Sequence, residues 1–215
     1  MMQGFATIQF QVGQWSLNNF GRNETPLLQV CAAGTIQATH ERSALEVPGE
    51  AVPGVVVELG GLAPLMGIVE EVGELECAIE NGDGAGMRDA FGDISIYLCD
   101  YCCRENIMWP VRMALALHER HNARTGVLLY LGKLYRCHLK RFQRIRGMHD
   151  AKTFDEHRVA ALRCFVWHLG TLAREVTDDN LLIILNETWN GIVKKRDWKA
   201  DAVTGGGHTH EAEDG

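Results

Sequence analysis

The segment from Gly67 to Leu98, GIVEEVGELECAIENGDGAGMRDAFGDISIYL, limits what this chain can become more than any other stretch. Its second half is apolar on nearly every side of a helix, with Phe91, Ile94, Ile96 and Leu98 placed around Asp93. A helix that is apolar all round belongs inside a protein. An ionised carboxylate in that position is costly unless something compensates it. Glu70, Glu71, Glu74 and Asp89 thread through the same stretch. The fold must bury a helix and also supply a partner for its acids.

Spacing suggests what that partner is. Glu71 and Glu74 are three residues apart and Asp89 and Asp93 four apart, so each pair projects from one helix face. The break NGDGAG turns the chain between them, and two antiparallel helices bring the pairs together. Converging carboxylates repel strongly without a cation among them. Mg²⁺ is the natural neutraliser because it takes hard oxygen ligands, water and phosphate, and Mn²⁺ is the alternative. Glu70 lies about 100° around the helix from Glu71 and reads as a neighbour rather than a ligand. Asp100, one heptad beyond Asp93, reads as a solvated helix end or else an outer ligand, and Glu70, Glu76 and Glu80 read as the wet face of their own helix.

Composition excludes several classes. Across 215 residues, 46% are hydrophobic and 23% charged, which is globular composition. The net charge of -7 argues against a nucleic-acid polymer as ligand. The opening MMQGFATIQFQVGQW lacks the basic start and apolar run of a secretory leader, and no run approaches membrane-spanning length. The expectation is a cytoplasmic chain with reduced thiols, in which Cys99, Cys102 and Cys103 of LCDYCCREN are core residues rather than a metal site.

Periodicity is helical almost throughout. Helices are expected over Phe5–Phe20, about Leu62–Glu80, Met87–Glu105, from Pro110 to about Asn122, and over Gly126–Arg146 and Phe154–Val176. A last one runs from Asp178 to about Val193, with Asp178 or Asp179 as its cap. Residues 22–60 are mixed: NETPLLQVCAAGTIQATHERSAL could hold a helix, and VPGEAVPGVVVELGG reads as a Pro/Gly-rich, partly extended connection. The expected fold is an all-α bundle, a single domain over residues 1–204, with a disordered tail at 205–215. GELECAIENGDGAG with RDAFGDISIYLCDYCCRENI is matched by GKLYRCHLKRFQRIRG with RVAALRCFVWHLGTLAREVTDDNL. The matching suggests a duplicated helical hairpin, acidic over about 62–105 and basic over about 126–176. Glu71 and Glu74 then correspond to Tyr130 and Lys133, and Asp89 and Asp93 to Ala160 and Cys164.

In the basic half, Lys133, Arg136, Lys140 and Arg144 fall on one stripe beside Leu131, Leu134, Phe142 and Ile145. The stripe reads equally as a solvated face or as a phosphate-binding one. GVLLYLGKL is not a phosphate-binding loop, since the glycine spacing is wrong and Leu134 stands where Ser or Thr is needed. The chain has no Glu-x-x-His pair for a di-iron site, and HERH is not the HExxH of a zinc protease.

EEVGEL followed by DAFGDISIYL resembles the MazG-type all-α nucleoside triphosphate pyrophosphohydrolases, whose motif is EExxE, a spacer, then ExxD. The opening QVGQWSLNNFG and the closing ETWNGIVKKRDW are similar to the ends of such proteins, whereas residues 22–60 have no counterpart. The resemblance implies metal ligands at Glu71, Glu74 and Asp93. Ala90 stands where the family has the first acid of ExxD, and Asp89 is the adjacent substitute. It implies Mg²⁺-dependent hydrolysis of a nucleoside triphosphate, standard, deoxy or non-standard, to the monophosphate and pyrophosphate, with Glu74 or Glu70 as the base. Lys194, Lys195 and Arg196 would meet phosphate, together with Lys133 and Lys140. Trp198, Trp189 or Trp15 would stack on the base, and Asn18 or Asn19 would read its edge. A homodimer is compatible with this reading. The alternative is a catalytically impaired helical protein of the same descent that binds a nucleotide or a metal.

Overall fold

Gly82 and Asp83 fold the acidic segment back on itself. Gly82 takes the left-handed conformation (φ 66°) that closes the helix α2, Leu62–Asn81. The Asp83 carboxylate then accepts the free N–H groups of Ala85 and Gly86, at 3.1 and 3.0 Å, and starts α3, Gly84–Arg104. This cap draws Gly84–Gly86 into the first turn, so α3 begins one turn before the apolar pattern does. The computed structural model describes residues 2–20, 27–30, 36–40, 43–44, 55–57, 61–109, 122–148, 150–191 and 193.

The same logic builds the second hairpin. Asn122 caps α4, Ala123–Phe142, by accepting from Thr125 N–H at 2.8 Å. Asp150 caps α5, Ala151–Thr177, by accepting from Thr153 N–H at 2.7 Å. The long α1 is Phe5–Phe20, as its periodicity predicts. α6 is Leu181–Gly191, and its cap is a correction. Asn180 Oδ1 accepts from Leu182 and Ile183 N–H, both at 3.1 Å, while Asp178 (φ 60°) ends α5 and Asp179 pairs with Arg88. α4 also stops earlier than Arg146: Arg144 and Arg146 both have positive φ, 53° and 56°. Arg144 thus leaves the basic stripe.

α3 is the helix that the sequence places inside. It packs against α1, α2, α5 and α6, and Phe91, Ile94, Leu98, Cys99, Tyr101 and Cys102 are wholly buried. α6 covers the face that carries Gly92, where a Cβ would stand 2.0 Å from Thr188 Oγ1. Gly92→Ala is therefore expected to destabilise the fold by about 2 kcal/mol, read as a lower urea midpoint at unchanged slope. α2 lies on the other side of α3, and the α4/α5 hairpin packs through α5.

The helical body is the all-α bundle expected. Residues 27–57 add four short strands: β1 (Leu27–Val30), β2 (Ile36–His40), β3 (Ser43–Ala44) and β4 (Val55–Val57), ordered β3-β2-β1-β4 with every pair antiparallel. The helix considered for NETPLLQVCAAGTIQATHERSAL is thereby replaced by β1 and β2. Gly34 and the β-branched Val30, Thr35, Ile36 and Thr39 favour that outcome. The extended character expected for VPGEAVPGVVVELGG is met at β4. The helix expected after Pro110 and the tail lie outside the described residues. No helix among the described residues is long and apolar enough to cross a membrane.

Candidate active site

The turn at Gly82–Asp83 sets the register of the hairpin, so that Glu71 on α2 comes level with Asp93 on α3. Both are half-buried, while Glu70, Glu74 and Asp89 are exposed. Their proximity shows in one carboxyl. Burial first, then the charges of Asp93, Glu74, Asp89 and Glu70 in falling order, push Glu71 up to about 8. A carboxylic acid that resists ionisation this strongly is surrounded by like charge with too little water to screen it.

Tyr97 belongs to the same group. Burial raises its phenol, helped by Glu71, Asp93, Glu70 and Asp100 in that order. Its ring rests where a side chain on Gly67 would be, since a Cβ at Gly67 would come 2.5 Å from the ring. Sequence reasoning missed both residues. The signal was present: Tyr97 lies one turn past Asp93, and Gly67 one turn before Glu71. Ala90, 2% exposed, faces the buried seam, whereas Asp89 approaches Glu71 from the outer side of α3.

A hard divalent cation fits these residues in donor type, since all are carboxylates, and in charge, since it would relieve the repulsion on Glu71. Among the described residues no group of three or more His, Cys, Asp or Glu is placed so that it could hold a metal ion. The acids thus share a field without forming a closed shell. Glu74 and Asp89, being exposed, keep the rotamer freedom that closing one requires.

A raised carboxyl makes stability depend on pH in a definite direction. Glu71 binds its proton more tightly folded than unfolded, so its contribution is fully present below about 4.5 and is lost as pH rises towards about 8. Because Glu71 is half-exposed, solvent screening reduces the expected loss to about 1–2 kcal/mol. Without divalent ions the melting temperature should fall between pH 5 and 8, and Glu71→Gln should flatten that slope.

The remaining expected residues divide by element. Trp15 stands edge-on to Trp189 (centroids 6.2 Å, 86°), and Asn19 donates to the Trp15 carbonyl at 2.9 Å. Both lie on α1, with Trp15 against α6. Lys133 and Lys140 lie on α4. The Lys133 ammonium sits 4.0 Å over the Tyr130 ring. Lys194, Lys195, Arg196 and Trp198 lie outside the described residues.

Between α4 and α5 of the second hairpin the contacts are made by rings and a buried thiol. Tyr130 stacks on His168 (5.5 Å, 16°), and Cys164 is 7% exposed. Gly126 seats the His168 ring as Gly67 seats Tyr97, with a Cβ 2.2 Å from the imidazole. Comparison of the chain with protein-family models, with curated proteins and with solved structures finds no match.

Proposed function

We propose that this protein hydrolyses a nucleoside triphosphate to the monophosphate and pyrophosphate with the help of Mg²⁺, in the manner of the MazG-type enzymes it resembles. The observation that carries this reading is the grouping of half-buried Glu71 on α2 and Asp93 on α3 with exposed Glu74 and Asp89 beside them, close enough that burial and like charge push the Glu71 carboxyl up to about 8. Perturbation of that size in a partly buried group of acids is characteristic of functional sites.

Glu71, Glu74 and Asp93 would hold the cation, with Asp89 in place of the acid missing at Ala90. When bound, a divalent ion supplies charge neutralisation of phosphate oxygens and a more acidic water. As a ligand Glu71 would be in its deprotonated form, so that binding would release a proton near neutral pH. Glu74 or Glu70, both exposed, takes a proton from the attacking water. Tyr97 closes one end of the group and keeps bulk water from that side.

The hairpin duplication belongs to the same reading. Burial repeats between the halves at Ile68 and Val127, Val72 and Leu131, Leu75 and Leu134, then at Phe91 and Leu162, Ile94 and Phe165, Leu98 and Leu169. The recurrent contact of a glycine with a ring supports it independently. One chain then imitates a pair of subunits, with chemistry kept in the first half and the second turned into core.

The test is a panel of ribo- and deoxynucleoside triphosphates with Mg²⁺, read separately for pyrophosphate and orthophosphate. Pyrophosphate with the matching monophosphate is expected for at least one of them. The second reading, a nucleotide- or metal-binding protein of the same descent, is favoured by Ala90 and by the unclosed shell. Mg²⁺ binding with no pyrophosphate from any nucleotide would establish it over the enzyme.

A further inference from the structure

The basic charge of this acidic chain is concentrated at one end of α4. Residues 133–146, KLYRCHLKRFQRIR, hold six of the 21 Lys and Arg within 14 positions and no Asp or Glu. Lys140 and Arg141 lie in the last turn of α4, where cations stabilise the helix dipole, which accounts for two of the six. None of the six forms an ion pair with a described residue, although Arg124 at the opposite end of α4 forms two. Lys140 is held below its usual range by desolvation and then by the charges of Arg136 and Arg146, so these cations crowd one another.

Packing holds the cluster in place and leaves apolar side chains standing out of it. Met148 is buried with Cys137 and Phe154, and the left-handed residues Arg144 and Arg146 carry the chain from α4 to it. Ile145 between them stays 44% exposed, and Leu139 in the last turns of α4 is 53% exposed. The start of α2 reaches the same end of the molecule, because Gly61 N–H and Arg158 meet at Glu105 and Tyr101 bonds His138 at 3.1 Å. It adds Met66, also exposed, and no acid in its first turn. The start of α5 adds Lys152 with Asp150, Asp155 and Glu156, of which Asp150 is engaged at its cap and Asp155 by Arg158. Seven cations thus stand against three acids over residues 133–157.

We propose that this end of the molecule docks on an anionic lipid bilayer, with Arg136, Lys140, Arg144 and Arg146 on the headgroup phosphates and Leu139 and Ile145 entering the acyl boundary. Apolar side chains exposed among cations are the pattern of an interfacial lipid contact. The alternative polyanion, a single-stranded nucleic acid, is held by bases stacked on open aromatic rings, whereas Tyr135 and His138 within the patch are half-buried. Glu76 and Glu80 lie at the opposite end of α4, so the field of the molecule turns the basic end towards a negative surface. The inference rests on exposure and charge and stands whether or not the acids of α2 and α3 are catalytic.

Flotation of the full chain with lipid vesicles tests it, using phosphatidylcholine alone or with roughly a third phosphatidylserine. The parent should float with the anionic vesicles and not with the neutral ones, and less of it as salt rises. Each cation near such a surface is worth about fivefold in binding, so Arg136→Gln with Arg144→Gln should weaken it about 25-fold. Leu139→Ser with Ile145→Ser should weaken it roughly tenfold and leave the salt dependence in place. All four residues are exposed, and unchanged circular dichroism separates lost binding from unfolding. A parent that ignores anionic vesicles would overturn the proposal, as would either double variant binding like the parent. So would a single-stranded oligonucleotide that strips the parent from the vesicles at an equal concentration of phosphate, which would make the patch a nucleic-acid surface.

Discussion

Asp93→Asn is expected to reduce pyrophosphate release by about 10²–10³ while leaving the fold at least as stable as the parent. The rate loss follows from the role proposed for Asp93, since a cation in a phosphoryl site supplies several kcal/mol of charge stabilisation, and each 1.36 kcal/mol is about tenfold in rate. The stability follows from the other side of the same arrangement. Asp93 is the largest of the charges that burden Glu71, and its neutralisation lets the Glu71 carboxyl fall back towards the ordinary range. The amide keeps the size of the acid, so the surrounding packing is unchanged. Initial rates under Mg²⁺, together with thermal melts of both proteins, check both halves. Equal turnover would remove Asp93 from the mechanism, and a large drop in melting temperature would make it a structural acid instead.

Glu105→Ala carries the second large effect, on stability. Arg158, only 6% exposed, binds the Glu105 carboxylate through Nη1 and donates to the Glu105 carbonyl through Nη2 at 3.1 Å. The other carboxylate oxygen accepts from Gly61 N–H at 2.9 Å, where α2 begins. One side chain therefore joins the start of α2, the end of α3 and the body of α5. Its removal leaves the buried guanidinium with only the exposed Asp155 carboxylate, 2.8 Å from Nη2, and the Gly61 N–H without an acceptor, a loss of about 3 kcal/mol. Natural domains hold about 5–15 kcal/mol, so the variant is expected to be partly unfolded at 37 °C. Glu105→Gln keeps the acceptor for Gly61 and should lose less. Arg158→Met together with Glu105→Gln should recover much of the loss, because no charge is then left buried. Urea denaturation of the parent, Glu105→Gln, Arg158→Met and the double variant forms the cycle, with Glu105→Ala measured beside it.

These two residues also mark what could be read from the chain. Asp93 stood out because apolar neighbours surround it at helical spacing, and the burial of α3 repeats that pattern. Glu105 did not stand out, because its role depends on Arg158 and Gly61, which only folding brings to it. The helix starts at Gly84, Ala123 and Ala151 were placed a turn late for a related reason. Apolar period sees the buried face, whereas Asp83, Asn122 and Asp150 begin each helix from polar side chains. The basic stripe was overextended because periodicity has no term for the left-handed turns at Arg144 and Arg146. The short strands of residues 27–57 lie where alternation spans only a few residues at a time, too short to be told from helix by pattern. Within the site, the acids were legible as pairs at helical spacing. Tyr97 and Gly67 were not, because a ring resting on a glycine is a contact between two helices.

The central claim is that the acids of α2 and α3 together hold a divalent cation, and the Glu71 carboxyl reports on it directly. Its ¹³C shift, followed by NMR against pH in the absence of divalent ions, should titrate near 8. With saturating Mg²⁺ the same carboxyl should stay ionised down to the ordinary carboxylate range or below, because the ligand form is the deprotonated one. A titration curve that Mg²⁺ leaves where it was would contradict the account.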